Sequence, residues 1–407
     1  MRSITFLPLW AGVLLAGILG SAARDDQPGQ DQVEAEAMGQ AAEADRQFKA
    51  GDFAAALPLY EAERTSRAKL GDLRYEAYAA RAIGCCHERL GDLEAAIAAW
   101  NAARSLDAKR EDRGFEGYDW LLIGQAQLHL NQPKSGVESL TRSLPLLSQA
   151  IDRDHESDAR LLLAYAFTEQ EDFESALKHL ERSLELAHLL DDPQRKAAIL
   201  AQMGRVDLIR DAAGPAVEWL SEAYEAYLAL DNEQEAAAMD RLLGDALMDL
   251  DLPDVAIARV ERAAEVHERL QAHALLADDL QFLAGIRTDM GNLPAARELA
   301  RRAVAAYHTA EEPTGEIDAL VVLARGHSLD KDWATAASTL TPALDLVRLH
   351  GTPADQVRLL LLAADLERRA KQNERAATLL GEAESIAKRS DNGALKRMVA
   401  EARQAFR

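Results

Sequence analysis

The stretch Ile83-Gly84-Cys85-Cys86-His87-Glu88-Arg89-Leu90-Gly91-Asp92-Leu93-Glu94-Ala95-Ala96-Ile97-Ala98-Ala99-Trp100 carries three signals at once. Gly84 and Ala96 are small residues twelve positions apart, and Trp100 is a large apolar group four positions beyond Ala96. Four is a helix-face spacing, so Ala96 and Trp100 share one side of a helix. Between the small residues, Leu90-Gly91-Asp92 combines a glycine that ends helices with an aspartate that starts them. The stretch therefore predicts one helix, a tight turn, and a second helix packed closely on the first.

Outward from this stretch the same columns return at a fixed interval of 40. Ala56, Ala96, Gly136, Ala176, Ala216, Ala256, Ala296, Ala336 and Ala376 form the main column. Twelve positions earlier stand Ala44, Gly84, Gly124, Ala164, Gly204, Gly244, Ala284, Ala324 and Ala364. Four positions later the side chain is mostly large and apolar, as at Tyr60, Leu140, Leu180, Leu220, Val260, Leu340 and Leu380. Turn residues recur in two phases, at Gly51-Asp52, Gly91-Asp92 and Gly291-Asn292, and again at Gly71-Asp72, Asp191-Asp192 and Asp231-Asn232. Each 40-residue unit is thus a pair of antiparallel helices. One pair cannot bury both of its faces, so neighbouring units must stack into a continuous core.

The unit resembles the tetratricopeptide repeat, in its longer variety of about 40 residues. The resemblance recurs nine times and covers residues 37–393. It departs from the pattern at Glu43, where an apolar residue is usual, at Gly136, and at Ala300, which is small where a large group is common. It implies an all-α, right-handed α-solenoid of about nine helix pairs, closed by a capping helix over residues 394–407. In that last segment Leu395, Met398, Val399, Ala402 and Phe406 mark one helical face. Pro145 and Pro342 fall well inside second helices, where a lost hydrogen bond and a ring clash should bend the chain.

The first 23 residues stand apart from the array. Arg2 precedes an apolar run over residues 4–20, and Ser21-Ala22-Ala23 places small residues where a signal peptidase cuts. A signal peptide over 1–23, a polar linker over 24–36 and an extracytoplasmic chain, periplasmic or secreted, are the expectation. The alternative is retention of the apolar run as a membrane anchor, the only route by which membrane contact is expected.

Composition bounds the partners. Against 46 Lys and Arg there are 68 Asp and Glu, a net charge of −22 that repels nucleic acid. The only cysteines, Cys85 and Cys86, are adjacent on a helix, where side chains diverge by about 100° and no unstrained disulfide forms. With His87 they point three ways, so no metal site is expected. No HExxH, GxSxG, phosphate-binding loop or dinucleotide fingerprint occurs, and acidic pairs such as Asp191-Asp192 fall at turns. These readings predict a non-enzymatic protein without a cofactor.

Recognition is the function left. In the family this chain resembles, the first helix of each pair lines a concave groove that holds a peptide or partner helix. Carried over by register, that lining comprises Tyr78, Arg81, Cys85, Tyr118, Gln125, Asp158, Tyr165, Arg205, Arg241, Asp245 and Arg325. Tyrosine and arginine are the side chains that most often anchor interfaces. The expected function is a protein-protein interaction scaffold or adaptor. The alternative is a peptide or signal sensor that regulates a separately encoded exported enzyme.

Overall fold

A computed structural model describes residues 30–390 and 392–405. All its elements among these residues are helices. The chain forms two compact units, one ending at Asp152 and the other beginning at Arg153. The first unit holds three antiparallel pairs: α1 (Gln30–Lys49) with α2 (Phe53–Leu70), α3 (Leu73–Arg89) with α4 (Leu93–Lys109), and α5 (Arg113–His129) with α6 (Pro133–Ala150). The second holds α7 (Arg153–Glu169) with α8 (Phe173–Leu190), α9 (Pro193–Ile209) with α10 (Ala213–Ala229), α11 (Glu233–Asp249) with α12 (Pro253–Arg269), and α13 (His273–Asp289) with α14 (Leu293–Thr309). There α15 (Pro313–Leu329) packs on a second helix split into α16 (Trp333–Thr339) and α17 (Thr341–His350). The unit ends with α18 (Pro353–Arg369), α19 (Asn373–Arg389) and α20 (Gly393–Ala405).

The two sequence columns are the two halves of one contact. A Cβ built on Gly84 would lie 2.3 Å from the Trp100 indole, and one on Gly244 would lie 2.3 Å from Val260. Small residues on the first helix therefore exist to seat large ones on the second, sixteen positions later. Trp100 is fully buried in that seat and its Nε1 donates to the Arg81 carbonyl at 3.2 Å. The third pair makes the same exchange, a Cβ on Gly124 meeting Leu140 at 2.7 Å, and adds its reverse: Gly136 on the second helix admits Leu128, which would meet a Cβ there at 2.6 Å. Ala300 is buried at 1% exposure beside Ala284 and Leu323, so its small size is absorbed by neighbours.

The links reveal a shorter period than the side chains do. At Gly91 the N–H donates to the Glu88 carbonyl, and that of Asp92 to His87, the paired bonds of a Schellman motif. Asp92 then caps α4 by accepting from the Ala95 N–H at 3.0 Å. A residue with φ between 52° and 84° sits at this place every 20 residues, from Gly51 to Lys331 and again at Lys371. Both kinds of turn thus share one backbone geometry; only the side chains repeat at 40. Glycine takes this conformation at Gly51, Gly71, Gly91 and Gly291, and Ile151 takes it at φ 60° without that freedom. The link at Gly351 differs, with φ −87° and a capping box between Thr352 and Asp355.

One expectation is corrected. Helix α1 begins at Gln30, so residues 30–36 are helical rather than linker; they extend the helical face that buries Ala37 and Ala44. The signal segment, residues 1–23, and Phe406 lie outside the described residues. Pro342 does interrupt its helix, between α16 and α17, but helical structure runs through Pro145 in α6. Upstream of Pro342 the hydroxyls of Ser338 and Thr339 both donate to the Thr335 carbonyl, drawing the backbone out of register. In α6, Leu140 and Leu147 on either side of Pro145 are fully buried and hold the helix to its neighbours.

Candidate partner-binding face

The first helices carry the residues expected to line a binding face, and the structure divides them. One group is core. Arg81 in α3 is buried and reaches α4 and α5: its Nε donates to Asp119 at 2.6 Å, and its Nη2 to Asp107 and, at 3.2 Å, to Asp119. Its guanidinium also lies 4.6 Å from the Phe115 ring. Burial raises the Asp119 carboxyl to about 7, outweighing the opposing pull of Arg81. Tyr118 is 8% exposed and its phenol is shifted up by burial. Asp158 is buried and bound by Arg195 Nη1 at 2.5 Å. Cys85 and Cys86 are free thiols, both buried; burial pushes Cys85 up and holds Cys86 at about 11. Tyr78 is half-buried and its hydroxyl donates to Asp45 at 3.1 Å.

Arg81, Tyr118, Asp158 and Cys85 are therefore not groove-lining contacts. Register alone assigned them to an open face, yet near the start and middle of a first helix the same register meets the following second helix, as at Asp107, or the next first helix, as at Asp119 and Arg195. Asp119, Asp107 and Arg195 took no part in the sequence reading; Asp119 and Asp107 stand out as carboxylates in columns that are mostly apolar or small, whereas Arg195 shares its column with His155, Glu235 and Asp355 and carries no such signal.

A second group faces outward. Gln125 in the first unit, and Tyr165, Arg205 and Asp245 in the second, are half-buried, and Arg325 is exposed. All five stand one position after the first-helix small residue of their repeat. Gln125, Arg205 and Arg325 make no ion pair or hydrogen bond with another side chain among the described residues, and Arg205 stands close enough to Tyr227 to act on its phenol. Asp245 is engaged by Arg241 Nη1 at 2.8 Å. Arg241 itself lies over the Phe282 ring, 3.7 Å from its centroid.

Arg241 belongs to a second polar cluster that sequence reasoning missed. His267 in α12 and Asp279 in α13 are both 1% exposed, with His267 Nδ1 and Asp279 Oδ2 2.6 Å apart. Burial raises the Asp279 carboxyl, against the influence of His267 and Arg241. His267 Nε2 and Asp279 Oδ1 are buried without a hydrogen-bond partner among the described residues. The signal was present in the columns: positions equivalent to this pair elsewhere in the second unit hold Tyr227 with Met239, and Val347 with Leu359.

No protein-family model matches the sequence, and no curated protein does. Solved structures do match. A tetratricopeptide-repeat sensor protein from Pyrococcus horikoshii, a signal transduction ATPase with numerous domains, aligns with 91% of this chain at 13% identity and a TM-score of 0.58. The chain spans 55% of that protein's length. The apo form of RapI aligns over 68% of this chain and 99% of its own, at 13% identity and a TM-score of 0.52. The fold shared with these structures is the tetratricopeptide-type solenoid.

Proposed function

From a tetratricopeptide-type solenoid with an outward row of polar side chains on its first helices, we propose a non-catalytic scaffold that binds a protein or peptide partner on its first-helix face. The observation that carries this reading is Arg205 and Arg325. In a chain where most arginines are tied into ion pairs or stacked on rings, these two stand on the same row with no acidic partner among the described residues. An arginine held at a partly desolvated surface without a counter-ion is a site for an external acceptor. Tyr165, on the same row, adds broad contact area.

The test is recovery of partners from envelope extracts by the tagged full chain, compared with Arg205→Ala and Lys178→Ala. Arg205→Ala is expected to weaken binding by about 1–2 kcal/mol, and Lys178→Ala, on an exposed second-helix position, to leave it unchanged. Loss with Lys178→Ala and not with Arg205→Ala would move the site to the second helices. A sensor role is the second reading, favoured by the sensor designation of the Pyrococcus horikoshii protein. Compaction measured by small-angle scattering on ligand binding separates it from a static scaffold.

The proposed address is extracytoplasmic. It rests on the sequence of residues 1–23 alone, and a mature N-terminus at Arg24 in the envelope fraction tests it.

A further inference from the structure

Beside the row that holds Arg205 and Arg325 runs a second row, three positions earlier on each first helix. In the second unit it reads Leu162 and Gln202 on α7 and α9, and then turns wholly apolar at Leu242, Phe282, Val322 and Leu362, on α11, α13, α15 and α18. Leu242, Phe282 and Val322 are half-buried and Leu362 is 38% exposed, so an apolar strip reaches solvent across four successive first helices. The strip has a gap. Gly285, one turn beyond Phe282, has nothing within 4 Å of where a Cβ would stand. At the same position the other repeats of this unit carry Tyr165, Arg205, Asp245, Arg325 and Asp365.

The charges around the strip are not balanced in the way the chain's acidity suggests. Its carboxylates are already neutralised from within: Asp245 by Arg241 at 2.8 Å, and Asp365 by Arg368 at 2.7 Å and Arg369 at 2.6 Å. Arg205 and Arg325 are not. The face therefore presents two unpaired cations beside an apolar floor, on a protein whose net charge is −22. Electrostatic complementarity selects against basic ligands only through the unpaired cations, and for acceptors that can reach both.

We propose that this face binds an extended polypeptide segment with an apolar centre and a carboxylate at each end. The proposal rests on the binding role argued above and specifies its ligand. The apolar centre lies along Phe282 and Val322, with one bulky side chain in the gap at Gly285, and the carboxylates meet Arg205 and Arg325. Arg205 on α9 and Arg325 on α15 are three repeats apart, about 30 Å if stacked first helices are spaced about 10 Å. An extended chain covers that span with about nine residues.

The probe is a capped, fluorescently labelled nine-residue peptide with aspartate at both ends and alternating leucine and phenylalanine between alanines. Its controls carry lysine ends or a serine centre. Fluorescence anisotropy with the full chain should show saturable binding of the aspartate-ended peptide, at least tenfold tighter than either control. Arg205→Ala and Arg325→Ala should each weaken it at least fivefold. Gly285→Leu fills only open space and replaces a glycine inside α13, so it should preserve helix content, leave melting equal or higher, and weaken binding at least tenfold. Equal or tighter binding of the lysine-ended peptide, no saturable binding of any peptide, or a neutral Gly285→Leu would overturn the proposal. If no peptide binds while Arg205→Ala still abolishes recovery of a protein partner, the ligand chemistry is wrong and the binding face stands.

Discussion

Arg81 and Arg241 occupy the same register four repeats apart, and each is followed after 26 and 38 positions by a buried polar pair. In the first unit the pair is Asp107 and Asp119; in the second it is His267 and Asp279. Two buried aspartates need a cation, and Arg81 turns inward to supply it, assisted by Arg110 on Asp107. Where histidine replaces the first aspartate, Asp279 has a partner of its own. Arg241 is then left to Asp245 and the face of Phe282. Between these two repeats, whether the arginine turns into the core or stays partly exposed follows the residue on the next helix.

The largest test of that contrast is removal of each arginine. Arg81→Ala leaves two carboxylates buried with one cation at the edge, and should destabilise the first unit by about 3–5 kcal/mol. Arg241→Ala removes a partly exposed pair and a ring contact, and should cost about 1 kcal/mol. Urea unfolding of the full chain, with hydrogen exchange to assign the change to α3–α5 or α11–α13, reads both. Equal losses would mean that histidine has not relieved the second arginine.

A smaller effect sharpens the second cluster. Replacing His267 and Asp279 together by the Tyr and Met that stand at Tyr227 and Met239 should leave stability unchanged or raise it by about 1–4 kcal/mol, since an apolar pair avoids the desolvation of buried polar groups. Asp279→Met alone should be destabilising, because His267 then keeps two unpartnered nitrogens. A double variant less stable than the single one would show that the pair contributes more than it costs.

The pH dependence is expected to be gentler and concentrated in the first cluster. Asp119 binds its proton more tightly folded than unfolded, with a value near 7 against an ordinary carboxylate near about 4. Its contribution is therefore complete below about pH 4 and is lost as pH rises through about 7. Asp279 is raised in the same direction. Asp119→Asn should flatten the fall in stability between pH 4 and 7, measured by urea midpoints. A slope unchanged by the substitution would place the titration elsewhere.

The smallest change concerns the backbone. Ile151 holds φ 60° with its side chain 70% exposed, so Ile151→Gly should stabilise by about 1 kcal/mol in a thermal melt. A loss of stability would mean that the exposed side chain makes contacts worth more than the strain.

Much of the fold was legible because close helix packing leaves a small residue wherever a large one must enter, and Gly84 with Trp100 writes that contact into the sequence twice. The 20-residue backbone period was harder to read, since Glu, Asn, Lys and Asp fill most of the left-handed positions that glycine would advertise. Of the expected face, Gln125, Tyr165, Arg205, Asp245 and Arg325 do stand outward, whereas Arg81, Tyr118 and Asp158 do not. Register fixes which way a residue leaves its own helix. It does not say whether another helix has a buried charge waiting there, as Asp119 waits for Arg81 and Asp158 is met by Arg195.

The uniform link has a consequence for how such a chain can change length. Because nearly every junction is one left-handed residue followed by a cap, a duplication or deletion of 40 residues rejoins two junctions of the same shape and needs no repair. An exchange of 20 would also rejoin cleanly in the backbone, but it would set second-helix surfaces where first-helix surfaces belong, turning the lining outward. Recombination is thus steered toward whole pairs by the side chains rather than by the turns. The Thr352 link, with its different geometry, is the junction least able to take part.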